Sequence, residues 1–246
     1  MKRLLAALLA GAAAAVLAGP ARAGPLTITA SLYSPPTTCG ATTVIDLTGI
    51  ATPSNAPIQG SGYTIGFSVT SGQGVVNGAL SGAYAVPVGG VSGGQPEYLT
   101  GNYGSLLTTN VALSGNYLST GIGSITVAFT SDQTAFAMLW GSIDDFNAVT
   151  FLEGTSTIGT VTGTDAADAL GNGFTASGGQ GAGGSGYIIV NSTTAFNTIT
   201  FSSTSPSFEF TGIVTSTDPI GTSEPMSLAL LGSGLAGLGL LRHRRA

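Results

Sequence analysis

Asp144, Asp145 and Asn147 set three oxygen-bearing side chains almost side by side, the pattern that a hard cation such as calcium would use. Asp165 or Asp168 could complete such a set. The spacing is not that of a calcium loop, however, and Asp and Asn at a turn also serve backbone hydrogen bonding, which is the reading we prefer. The same carboxylates could act as the acid and base of a glycosidase, a mechanism that needs no histidine. Against that stand a single Trp and no Arg in the central region to line a sugar cleft. Other chemistry is closed off by composition. His243, the only histidine, lies in the basic cluster at 242–245, so the central region has no imidazole for general base catalysis or zinc binding. Without lysine there, Ser-Lys and Schiff-base mechanisms fall away too. Cys39 is the only cysteine, so no internal disulfide forms, and no neighbouring cation in sequence favours its thiolate. We therefore expect no catalytic residue, no enzyme activity and no cofactor, with calcium at Asp144, Asp145 and Asn147 as the minority alternative.

Charge narrows the partners. All six Lys and Arg fall in residues 1–22 or 242–245, whereas ten of the eleven acidic residues lie in the body over 24–222. An anionic body cannot neutralise phosphates, which excludes nucleic acid, and it has no basic patch for anionic lipid.

The elements that must position these residues read as strands. Tyr63, Ile65, Phe67 and Val69 alternate with Thr64, Gly66, Ser68 and Thr70, the period-two signature of a half-buried strand. Similar stretches occur at 26–33, 43–50, 106–113, 122–130, 135–140, 148–153, 157–162, 187–190, 197–202 and 207–215, separated by Gly, Ser, Asn and Pro. This predicts an all-β body, an antiparallel β-sandwich or jelly roll, over residues 24–222. A β-solenoid is the other economical fold, but no fixed repeat is present. Asp165 to Leu170 is the one candidate helical turn, and it leads into a Gly-rich loop over 171–186. The run from Phe136 to Phe151 predicts a hairpin: a strand ending at Trp140, a turn through Asp144 to Asn147, and a return strand.

Two further surface readings concern sugars and ice. Trp140 and the tyrosines could form a sugar-stacking platform, although Trp140 sits among apolar residues and is better read as core. The triplets Thr27 to Thr29, Thr160 to Thr162 and Thr198 to Thr200 suggest an ice-binding face, which would require them to stack in register. Their spacing along the chain is irregular, and Thr is a good strand former in any case.

Both ends carry targeting signals. Lys2 and Arg3, an apolar run from Leu4 to Leu17, and the small-residue site Ala21, Arg22, Ala23 before Gly24 make a secretory signal peptide over 1–23, a signal helix cleaved after Ala23 by signal peptidase. At the other end, Ser223, Glu224 and Pro225 precede an apolar run from Met226 to Leu241 and the basic cluster Arg242, His243, Arg244, Arg245. As a helix that run would be about 24 Å long, a little short of a hydrocarbon core of about 30 Å. The terminal arginines hold it with the body on the far side of the inner membrane.

This three-part tail over 223–246 resembles the PEP-CTERM sorting signal of Gram-negative bacteria, most closely in Leu228 to Gly232 and in the closing Arg-His-Arg-Arg-Ala. The resemblance implies processing by exosortase, a membrane-embedded cysteine protease, and delivery to the cell surface or an exopolysaccharide matrix. The family pattern is Pro-Glu-Pro; this chain has Ser223 in the first position, a departure that bears on processing efficiency. The run Leu139, Trp140, Gly141, Ser142, Ile143, Asp144, Asp145, Phe146, Asn147 to Phe151, followed by Thr162 to Asp165 and a late strand over Thr198 to Phe210, is similar to a segment recurring in exosortase-sorted surface proteins. That segment implies no chemistry. The expectation is a non-catalytic exported surface or matrix protein associated with exopolysaccharide. The alternatives are a carbohydrate- or ice-binding module and, more remotely, a glycoside hydrolase.

Overall fold

The computed structural model describes residues 21–32, 36–38, 42–92, 95–98, 115–171, 173–180, 183–206 and 208–222. The apolar runs at both ends, the sorting residues Ser223, Glu224, Pro225, Arg242, Arg244 and Arg245, Cys39, and the expected strand at 106–113 lie outside them. No helix among the described residues is long and apolar enough to cross a membrane.

The described chain is antiparallel β-sheet with one short helix. It begins with β1 (Ala21–Ala23), β2 (Leu26–Ser31), β3 (Pro36–Thr38) and β4 (Thr42–Val44). There follow β5 (Ile58–Gly60), β6 (Tyr63–Val69), β7 (Gly74–Asn77), β8 (Val88–Ser92), β9 (Gln95–Tyr98) and β10 (Asn116–Ser119). The second half holds β11 (Gly123–Gly141), β12 (Asn147–Glu153), β13 (Ser156–Thr162), α1 (Gly163–Leu170), β14 (Gly186–Ser203), β15 (Glu209–Ser216) and β16 (Ile220–Thr222). The expected signal-cleavage residues fall at the first turn, with Ala21 and Ala23 in β1 and Gly24 just after it.

Two long strands organise the sheet. Over Gly123–Ala128, β11 pairs with β6 on one side and with the C-terminal part of β14 on the other, and β14 there pairs onward with β12 and β12 with β13. Over Ala135–Gly141, β11 pairs instead with β15 and with the N-terminal part of β14, which continues to β2. Between these halves the register slips twice, at Ala128/Gln133 and Gln133/Ala135. The stretches 131–134 and 191–196 separate expected strands in the sequence; the structure makes them irregularities inside continuous strands. Gln133 Nε2 donates to the carbonyls of Ser131 and Asp132, each at 3.0 Å, satisfying groups that the broken ladder leaves over.

One apolar core joins the two halves, containing Ile125, Val127, Val149, Phe151, Ile199 and Phe201 from the first and Leu26, Phe136, Met138, Trp140, Ile188 and Phe210 from the second. Phe201 stacks on Phe210 at 4.1 Å between centroids, and Phe136 meets Phe151 edge-on at 5.4 Å. The expected hairpin from Phe136 to Phe151 is not present. β11 and β12 do not pair; the segment 142–146 carries the chain from one half of the sheet to the other, and the partner of β12 in its hairpin is β13. Alternation marks both strands but cannot tell which neighbour each will take.

The helix is longer than its sequence signal. Thr162 caps it: its Oγ1 accepts from the Asp165 amide at 3.2 Å, while the Asp165 carboxylate accepts from the Thr162 amide at 2.8 Å, a reciprocal capping box. Ala166, Ala167 and Leu170 form its buried face. The Gly-rich stretch that follows carries no strand among its described residues until Gly186.

Candidate binding face

In the first half of the sheet the central inward positions, Ile125, Val127, Val149, Phe151, Val161, Ile199 and Phe201, are apolar and buried, so the outward positions form a surface of their own. Pairing sets them in rows. Gly66 stands opposite Thr126, Thr126 opposite Thr200, Thr200 opposite Thr150 and Thr150 opposite Thr160. One row away lie Ser68, Ser124, Ser202, Ala148 and Thr162, and on the other side Thr64, Ala128, Thr198, Leu152 and Thr157. The positions without a hydroxyl are Gly, Ala or Leu152. None in the rows is charged or aromatic.

The central row is internally bonded. Thr126 and Thr200 share a hydrogen bond between their hydroxyls at 3.3 Å, and Thr150 and Thr160 share one at 3.1 Å. These side chains are half-buried by their neighbours, and a β-branched side chain has few χ1 choices, so the hydroxyl positions are fixed before any partner arrives. Each shared bond uses one proton of the two, which leaves every pair able to donate once and accept several times. Two of the three Thr triplets singled out in the sequence, 160–162 and 198–200, lie on this face but are offset by two residues: Thr160 and Thr200 share the central row through Thr150, whereas Thr162 lines up with Ser202 and Thr198 with Thr157. The third does not join them: Thr27 and Thr29 lie opposite Asn191 and Ile189 in the other half. Sequence reasoning missed Thr126 and Thr150, because the row is assembled across strands and not along the chain.

The acidic turn is built differently. Asp144 is 8% exposed, its backbone bridges to Ser177, and its carbonyl accepts from the Asn147 amide at 3.2 Å. Two glycines press on it: a Cβ at Gly163 would fall 1.8 Å from the Asp144 carbonyl oxygen, and one at Gly178 would fall 2.3 Å from its Oδ1. Burial, and then the neighbouring Asp145 charge, push the Asp144 carboxyl from its ordinary 3.8 up to about 6. Asn147 is fully buried and donates through Nδ2 to the Ser142 carbonyl at 3.3 Å, while Asp145 is exposed. Asp165 is engaged by the helix cap, and Asp168 is exposed on α1. Among the described residues no three of His, Cys, Asp and Glu gather as a metal-binding group.

Trp140 faces the core. It is fully buried and stacks on Phe208 at 4.6 Å, so it is no exposed sugar platform, and Tyr63, Tyr117 and Tyr187 are buried as well. One buried carboxylate was not anticipated from the sequence. Glu209 has no exposed surface, yet its Oε1 accepts from the Ala85 amide at 3.0 Å. Beside it the Tyr117 hydroxyl donates to the Gly78 carbonyl, and the Tyr117 ring meets Tyr84 edge-on at 6.2 Å. Burial, with Glu209 and Tyr84 adding to it, raises the Tyr117 phenol well above its ordinary 10.0. These contacts pin residues 78–85 over the sheet.

The chain matches no protein family, no curated protein and no solved structure.

Proposed function

We propose that this chain is a non-catalytic exported surface or matrix protein whose β body meets its partner through the hydroxyl face. The observation that carries the reading is the in-register row Thr126, Thr200, Thr150, Thr160, flanked by further rows without charge. Such a surface suits a neutral, hydrogen-bonding partner, which accords with a body that holds no Lys, Arg or His. We read the two halves of the sheet, packed through Phe136, Phe151, Phe201 and Phe210, as the layers of a sandwich whose corners are turned by β11 and β14 at their bulges. Export rests on the signal at 1–23 and sorting on the PEP-CTERM-like tail, with signal peptidase and exosortase as processing enzymes, a transient inner-membrane anchor at 226–241, and the surface or exopolysaccharide matrix of a Gram-negative bacterium as destination.

Fractionation with intact-mass analysis tests both parts. The wild-type protein is expected outside the inner membrane without its tail, whereas Glu224→Ala with Pro225→Ala stays membrane-bound at its full post-signal mass. A surface form that still ends at Ala246 would refute the sorting reading. For the body, Thr200→Tyr, which plants a bulky ring in the middle row, should shift the processed protein from the matrix fraction into the medium; an unchanged distribution would refute the binding face.

A further inference from the structure

We infer that the hydroxyl face is matched to a lattice of ordered water, so that the partner it fits is the surface of ice. The inference rests on the reading of this face as a binding surface and adds the identity of what is bound. Three features of the face lead to it.

The first is periodicity in two directions. Neighbouring strands lie about 4.8 Å apart and alternate residues along a strand about 6.8 Å apart, so the rows repeat locally in both directions, while sheet twist turns successive strands and a register shift at Phe151/Leu152 offsets the outermost one. The inter-strand length is close to the shorter oxygen repeat on the prism face of hexagonal ice, and the length along the strand falls somewhat short of the longer one. A glycan chain repeats in one direction only and would engage one row, leaving the others without use.

The second is what the net is made of. Threonine presents a methyl and a hydroxyl together: the methyl orders the water around it, and the hydroxyl anchors that water by a hydrogen bond. The shared hydrogen bonds at 3.3 Å and 3.1 Å hold the anchors as two fixed pairs, one on β11 and β14 and one on β12 and β13. Sugar sites instead use aromatic faces and planar amides, carboxylates or guanidinium groups, which fit vicinal hydroxyls in pairs. The rows contain none of these. Trp140, which could have supplied stacking, is in the core on the opposite side of the sheet.

The third is neutrality and openness. No charged side chain interrupts the rows, and among the described residues their members are partly or fully exposed. A broad uncharged net of this kind fits an extended, uncharged, crystalline surface.

The test uses the full chain purified in mild detergent, with detergent alone as the blank, in two arms: partition into a slowly grown ice front, and pull-down on insoluble neutral polysaccharide. Wild type is expected to enrich in the ice and to shape the growing crystal. Thr126→Val with Thr150→Val keeps side-chain shape and strand preference while removing two anchors, so enrichment should fall about tenfold, as for the loss of two hydrogen bonds. Thr200→Tyr should abolish it, and Thr29→Val, opposite Ile189 in the other half of the sheet, should leave it unchanged. Melting curves and circular dichroism confirm that each variant is folded. No enrichment in ice, together with polysaccharide binding that Thr200→Tyr removes, would overturn the ice inference and leave the binding face standing. No binding in either arm would overturn both, and ice enrichment indifferent to all the face variants would overturn the assignment of the face.

Discussion

The same strand, β11, lives in two environments. Along Gly123–Phe129 it alternates, with Ile125, Val127 and Phe129 buried and Ser124, Thr126 and Ala128 half-exposed. Along Ala135–Trp140 every residue is fully buried. The difference comes from what lies outside. In the first half nothing described covers the outer face. In the second, Ala135, Ala137 and Ile189 are closed over by Ile220 of β16, which Asn191 grips at both backbone groups, donating to its carbonyl at 2.8 Å and accepting from its amide at 2.9 Å. Gly141 lies under Pro87, so close that a Cβ would fall 2.9 Å from the Pro87 Cβ. One half of the strand therefore uses polar outward residues and the other uses small ones, because a hydroxyl suits water and an alanine suits a second layer.

That contrast is sharpest in the size of the damage a mutation does. Trp140→Ala in the doubly covered half removes the ring stacked on Phe208 and should cost about 3–5 kcal/mol in denaturant unfolding. Thr126→Val on the open face should move stability by no more than about 0.5 kcal/mol. A comparable loss in both would mean that the open face is covered in solution. Enlarging small residues gives the next effect. Ala137→Leu must push against Ile189 and Ile220 and should cost about 1–3 kcal/mol, whereas Ala128→Leu, on the same strand but pointing outward, should be close to neutral. Equal effects would erase the distinction between the halves.

The smallest effect is a pH dependence at the joint between them. Because the Asp144 carboxyl is raised from 3.8 to about 6, the folded state holds this proton more tightly than the unfolded chain does. Its contribution to stability is therefore complete below about pH 4 and is lost as pH rises through about 6. Melting temperatures between pH 4 and 7 should show this decline in the wild type, and Asp144→Asn should flatten it. A wild-type profile that instead rises with pH, unchanged by the substitution, would contradict the burial of this carboxyl.

Strand positions were largely legible in the sequence, since alternation at Tyr63–Val69 or Ala148–Glu153 needs only one buried face. Neighbours were not. The polar runs around Gln133 and Asn191 have turn composition, and only the pairing partners reveal that the strand continues through them with a bulge. The bridging segment 142–146 was mistaken for a hairpin turn for the same reason. Short strands such as β7 and β10 escaped notice because all of Val75, Val76, Tyr117 and Leu118 are buried, which removes the alternation that would betray them. The hydroxyl face was half visible, as Thr triplets, but its register across four strands is a tertiary fact. The burial of Glu209 had no local signal at all: its amide partner, Ala85, lies 124 residues away.

Because β11 and β14 each run through both halves, neither half has a complete set of strands to itself. Peeling away the open half would strip one ladder from the very strands that hold the covered half together, and the reverse is equally true. The body should therefore behave as one cooperative unit with no smaller folding unit inside it, so the two halves are gained and lost together.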